Sequence, residues 1–224
     1  TAGTGGNSLT EAVWTNVAPP PNAASWIPGT IGVGYEASPN SGTSYATLLG
    51  LELRSRMQNR STTAYIRIPF SADRKALESA RALILELKYD DGFVAYLNGV
   101  RVASSNAPGQ LTSSSAASSN NSDTRALEFE QFDLSSFIPL LNEGANMLAI
   151  HGLNDGAGSS DFLILPRLVV TDSLPPVWPD LQLGTPITNA NSPVALTHAP
   201  DGSGRLFIVE RAGRIRIWDG GALR

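Results

Sequence analysis

Cysteine is absent from the 224 residues, which excludes disulfides, thiolate metal sites and a cysteine nucleophile. Lysine is nearly absent: only Lys75 and Lys88 stand beside the arginines, and Lys plus Arg number 16 against 20 Asp plus Glu. With a net charge of −4 and 16% charged residues, the chain has no basic face for a phosphate backbone and no polybasic membrane patch. Nor does any apolar run approach the roughly 18 residues that a membrane-crossing helix needs. Nucleic acid and membrane insertion are therefore not expected. No Met and no charged-then-apolar leader opens the chain at Thr1. The expectation is that a targeting segment has been removed, or that the sequence is an excised piece, of a secreted protein at a bacterial cell surface.

What is present suits a β protein. Hydrophobic residues make up 42%, enough for a core without disulfides, and 21 Gly with 15 Pro punctuate short apolar runs. Strands are predicted over Thr63–Phe70, Ala82–Tyr89, Ala126–Phe132, Asn146–Leu153 and Phe162–Thr171, with a helical turn or two across 74–82. The sharpest local signal is Asn98-Gly99 between Phe93–Leu97 and Val100–Ala103. A two-residue type I′ turn needs positive φ at both positions, and Asn-Gly supplies it, so a hairpin is predicted there. Residues 104–124 read as a long polar surface loop.

Residues 1–10 read as a flexible leader, 11–172 as a two-sheet antiparallel β-sandwich of jelly-roll type, 173–179 as a Pro-rich linker, and 180–224 as a β appendage. Within the appendage, Arg205–Val209 and Arg214–Trp218 form a predicted strand pair.

Two resemblances follow from these residues. The run Tyr89-Asp90-Asp91-Gly92-Phe93-Val94-Ala95-Tyr96-Leu97-Asn98-Gly99-Val100 resembles the core hairpin of galactose-binding-like β-sandwich modules of large secreted bacterial proteins. Ile31–Glu36, Ala64–Arg67, Asn146–His151 and Ser159–Phe162 extend the likeness, which covers roughly 11–172. Such modules include sugar binders, adhesion modules and spacers. The tail, through Pro193–Leu196, Ala199–Glu210 and Gly213–Ile215, resembles the opening of the glucose/sorbosone dehydrogenase family, β-propellers that use pyrroloquinoline quinone. A propeller needs at least four blades of about 40–45 residues. The family's later catalytic and quinone-binding residues have no counterpart here, so neither catalysis nor quinone binding is expected of this chain.

Asp90-Asp91-Gly92 also resembles the calcium-dependent sugar-binding sandwich domains of yeast adhesins, in which two neighbouring Asp hold a Ca²⁺ that contacts sugar hydroxyls. Calcium takes six to eight oxygens, so Asn154, Asp155 and Asp161 are the expected further ligands if their loop folds beside the hairpin. The alternative is that Asp90 and Asp91 cap a turn through nearby backbone amides. Tyr96, Trp26 and Tyr35 are the candidate sugar-stacking aromatics, with core packing as the alternative. Alternation along the strand sends Tyr96 to a sheet face open to ligand. His151 and His198 have no nucleophile at a catalytic spacing and read as satisfied structural histidines.

Two functions remain in view. One is a non-catalytic extracellular carbohydrate-binding or adhesion module, accessory to a sugar dehydrogenase in a longer parent. The other is a subunit of an extracellular fibre or surface assembly, whose exposed C-terminal strands are donated to a neighbouring copy.

Overall fold

The computed structural model describes residues 2–3, 11–20, 23–38, 43–173, 187–199 and 201–224. Two compact units divide the chain, Thr1–Pro176 and Val177–Arg224. The first contains strands β1 (Ala2–Gly3), β2 (Val33–Glu36), β3 (Leu51–Glu52), β4 (Thr63–Ala72), β5 (Ala82–Asp90), β6 (Gly92–Leu97), β7 (Val100–Ser105), β8 (Glu130–Asp133), β9 (Gly144–Leu153) and β10 (Asp161–Thr171). They form two five-stranded sheets in the orders β1-β4-β9-β6-β7 and β3-β2-β10-β5-β8. The all-β sandwich expected from the sequence is what the chain forms. All the strand pairs of this unit are antiparallel except β2 with β3, which is parallel.

Alternation builds the layers. Leu83, Leu85 and Leu87 of β5, Ile66 of β4, Leu148 and Ile150 of β9, and Phe162 and Ile164 of β10 meet in one buried cluster. Burying such side chains contributes about 1.5–3 kcal/mol each. Asn98 (φ 49°) and Gly99 (φ 91°) make the β6–β7 turn, as their dipeptide demands. The Asn98 side chain also donates to Leu140 O (2.8 Å) and accepts from Met147 N (2.8 Å), fixing the turn to the neighbouring loop and to β9.

Three local expectations change. The helical turn is Arg74–Ser79, started by Asp73, whose carboxylate accepts from Ala76 N at 2.7 Å. The strand expected over Ala126–Phe132 begins only at Glu130, because Asp123–Ala126 coils into a helical turn that buries Ala126. Strand β6 is buried at all six positions, not at alternate ones. The cause is a second apolar cluster on the outer face of its sheet, where Trp14 and Trp26 from the segment before β2 cover Tyr65, Tyr96, Val94, Met147 and Ala149.

The second unit is a three-stranded antiparallel sheet, β11 (Pro193–His198), β12 (Leu206–Glu210) and β13 (Ile215–Trp218), in that order. The expected strand pair is β12 with β13; β11 adds a third strand. Its one fully buried charge is Glu210, among the described residues, and that carboxylate accepts from Asn191 N (2.8 Å) and lies 2.8 Å from Arg214. Of the expected leader only Ala2–Gly3 is described, paired with β4. The expected linker, apart from Ser173, and Trp178 lie outside the described residues.

Candidate functional site

At one end of the sandwich β5 passes into β6 through Asp90 and Asp91, joined by a cis peptide bond. The ends of β9 and β10 adjoin them. Asp91 N donates to Leu153 O at 3.1 Å. The Asp91 carboxylate accepts from Asn121 N (3.0 Å) on one oxygen and from Asp155 N (2.8 Å) on the other. Asn106 Nδ2 donates to Asp91 O (2.9 Å), and Asn121 Nδ2 donates to Tyr89 O (2.8 Å). The polar loop after β7 is therefore fastened onto the acidic pair, and Asn121 within it is buried.

Asn154 follows β9 and is fully buried. Its Nδ2 donates to the Tyr35 hydroxyl (3.1 Å) and to Asp161 O (2.9 Å). Its Oδ1 is buried without a hydrogen bond. Asp90 Oδ2 and the Tyr45 hydroxyl make no bond of good geometry either, but the two groups face each other, and Asp90 also faces the Asp91 carboxyl, closely enough for side-chain hydrogen bonding to shift their titration. A buried polar atom without a partner costs about 1–3 kcal/mol, so Asn154 Oδ1 calls for an explanation.

The electrostatics agree. Burial pushes the Asp90 carboxyl well above the usual carboxylate range, and Asp91 beside it raises it further, with Asp161 and Asp123 contributing. Asp161 is pushed up to about 6, by burial first and then by Asp123. Asp155 is raised by burial and by Asp91. Burial lifts the Tyr35 hydroxyl to about 12, and it lifts that of Tyr45 too, the Asp90 charge adding to both. This is a concentration of acidic groups and oxygen lone pairs that resist ionising together, with no basic side chain among the groups that shift them.

Asp90, Asp91, Asn154, Asp155 and Asp161, which the sequence reading grouped as metal ligands, are thus brought to the same end of the sandwich. Among the described residues, no group of three or more His, Cys, Asp or Glu side chains is placed to hold a metal ion. The donor set on offer is a carboxylate pair with neutral oxygens, which is the kind of mixture calcium accepts.

The aromatic candidates lie elsewhere in their surroundings. Tyr96 is 1% exposed and packs edge-on against Trp14 at 5.7 Å, so the face that alternation assigned to ligand is closed by the segment laid across it. Trp26 is buried, with the Arg67 guanidinium over its ring at 5.9 Å. Tyr35 is fully buried, and its hydroxyl serves the Asn154 framework. None of the three presents a free ring face for a sugar. His151 is buried between Tyr65 (4.6 Å, tilted) and Trp14 (6.4 Å, edge-on), and its Nε2, against expectation, has no hydrogen bond. His198 stands exposed on β11.

Asn121, Asn106 and Tyr45 were not anticipated as part of this site. The asparagines sit in a Ser/Asn-rich stretch whose composition hides their role; Asn106 has φ of 50°, a conformation that Asn tolerates better than most residues.

No family model and no curated protein matches the chain. Among solved structures it is similar to the β-D-mannosidase of Dictyoglomus thermophilum, with 19% identity over 42% of this chain and 9% of that one, at a TM-score of 0.28. It is similar to a glycosyl hydrolase family 2 member of Bacteroides cellulosilyticus at 11% identity, covering 84% of this chain and 24% of that one, with a TM-score of 0.28. The β-glucuronidase of Bacteroides uniformis gives 11% identity, 86% and 22% coverage, and a TM-score of 0.31. The chain spans a quarter or less of each of these proteins. At such scores the likeness carries no argument about activity, which has to come from the side chains themselves.

Proposed function

We propose that the sandwich unit is a non-catalytic carbohydrate-binding module whose Asp90–Asp91 end takes a calcium ion and a glycan. The observation that carries this reading is the buried, adjacent carboxyl pair Asp90 and Asp91, with the buried Asn154 Oδ1 left without a hydrogen bond at the same end of the sandwich. Asp90 and Asp91 are the charged ligands. Asn121 and Asp155 hold the Asp91 carboxylate through their backbone N–H groups, and Tyr35 and Asp161 hold the Asn154 amide. Calcium bound there supplies coordination positions that sugar hydroxyls can fill. The resemblance of the tail to sugar-oxidising propellers supports an accessory role, in a longer extracellular parent, of tethering the enzyme to its polysaccharide.

Calorimetric titration of EDTA-stripped protein with CaCl₂, followed by a glycan array with and without EDTA, tests the reading. Uptake of one calcium and retention of a glycan that EDTA abolishes are expected. No calcium uptake at millimolar concentration, together with no glycan retained in either condition, overturns it.

A further inference from the structure

The sandwich has an unfinished edge. Strand β2 accompanies β10 only over Asp161–Ile164, and beyond that point no described residue pairs with that side of β10. The bond from Ala37 N to Ser160 O sets the parity: even-numbered residues of β10 turn their backbone groups toward the β2 side. Leu168 and Val170 therefore each present an N–H and a C=O there, and Pro166 a C=O alone. The side chains of these three residues line, with Ile68, Phe70 and Leu148, an apolar cleft of about 640 Å³. Val170 on its rim is 37% exposed.

Strand β11 has the complementary defect. It is the outer strand of its sheet, and all six of its residues are exposed. The bond from Ala199 N to Arg205 O and the register with β12 leave Leu196 and His198 with backbone groups on the open side. Leu196 is 63% exposed and Val194 62%. A strand with free backbone groups and bare apolar side chains is a template for pairing.

We propose that β11 of one copy adds to the open edge of β10 in a second copy, with Leu196 seated over the cleft. Directly paired residues on neighbouring strands put their side chains on one face, so Leu196 opposite Leu168 carries its side chain to the cleft side. Pro166 at one limit of the open edge and Pro193 at the start of β11 lack the N–H that longer pairing requires, so the contact stays short. Every copy carries both an open β10 edge and an exposed β11, so two identical chains are complementary to each other without a further component, and pairing within one molecule is the outcome that a constant monomer mass would reveal. The contact is head-to-tail, closing by reciprocal exchange or running on as a chain.

Sedimentation velocity of the full chain from about 1 to 200 μM, with Val170→Lys and Leu196→Lys, tests this. Both sites are exposed, and circular dichroism checks that each variant is folded. The wild-type mass is expected to rise above 23.6 kDa with concentration, and each variant to weaken association by about tenfold or more, since a lysine at the seam must be desolvated. Mixing the two variants restores one intact contact, so the mixture is expected to stop at twice the monomer mass. A wild-type mass of 23.6 kDa at every concentration, association that survives in either variant, or a mixture that stays monomeric overturns the proposal. None of these outcomes depends on calcium or glycan binding.

Discussion

Asp90 is 2% exposed, and one oxygen of its carboxyl makes no bond of good geometry. With its carboxyl raised so far, Asp90 must take up a proton to stay buried, a cost that an amide of the same shape does not carry. Asp90→Asn is therefore expected to melt at or above the wild-type temperature in EDTA and, on the proposed calcium reading, to lack the upward shift that calcium is expected to give the wild type. Differential scanning fluorimetry in the two buffers reads both. His151 gives a second prediction. Burial holds its imidazole down to about 4 from 6.5, so it stays neutral in the fold. As pH falls below 6.5 the unfolded chain takes up a proton that the folded chain refuses, and stability declines until about pH 4, levelling off below. The gap corresponds to about 3 kcal/mol. Urea unfolding of wild type and His151→Phe across pH 4–7 isolates it: the difference between the two is expected to shrink or reverse toward acid. A parallel pH dependence in the two proteins would exclude His151 as the source.

At the scale of elements, the segment across the outer face of β6 explains why Tyr96 is hidden. It is tied down by Arg67, whose guanidinium donates to Asn16 O (2.5 Å) and Ala18 O (2.7 Å) while lying over Trp26. Arg67→Met keeps the stem and removes those donors, leaving carbonyls that must find other partners. A stability loss of about 1–3 kcal/mol is expected, with faster proteolysis within residues 11–20 and a red shift of tryptophan emission. Unchanged cleavage would mean that Trp14 and Trp26 alone hold the segment. This element also marks the limit of what the sequence disclosed. Asn98-Gly99 and the alternation of β5 are local codes, so the hairpin and the sandwich layers were legible. Period-two alternation gives a side chain its face, but what lies over that face is decided by residues some 70–80 positions away, which no local pattern encodes. The same holds for the site: Asp90-Asp91 stood out as adjacent like charges, while Asn121 and Tyr45 acquire their roles only through tertiary contact.

At the scale of the whole molecule, the chain is two units, each with its own strand pairing. The acidic end draws on residues 90–91, 106, 121, 154–155 and 161, which meet only after two sheets have closed. Occupancy and integrity of the sandwich are then two readings of a single equilibrium. The unfolded chain scatters these donors along some 70 positions and has no affinity to offer, so any ligand held there protects the native state by an amount its concentration sets, about 2.7 kcal/mol at a hundredfold excess over the dissociation constant. Where that ligand is lacking, the protection is lacking too.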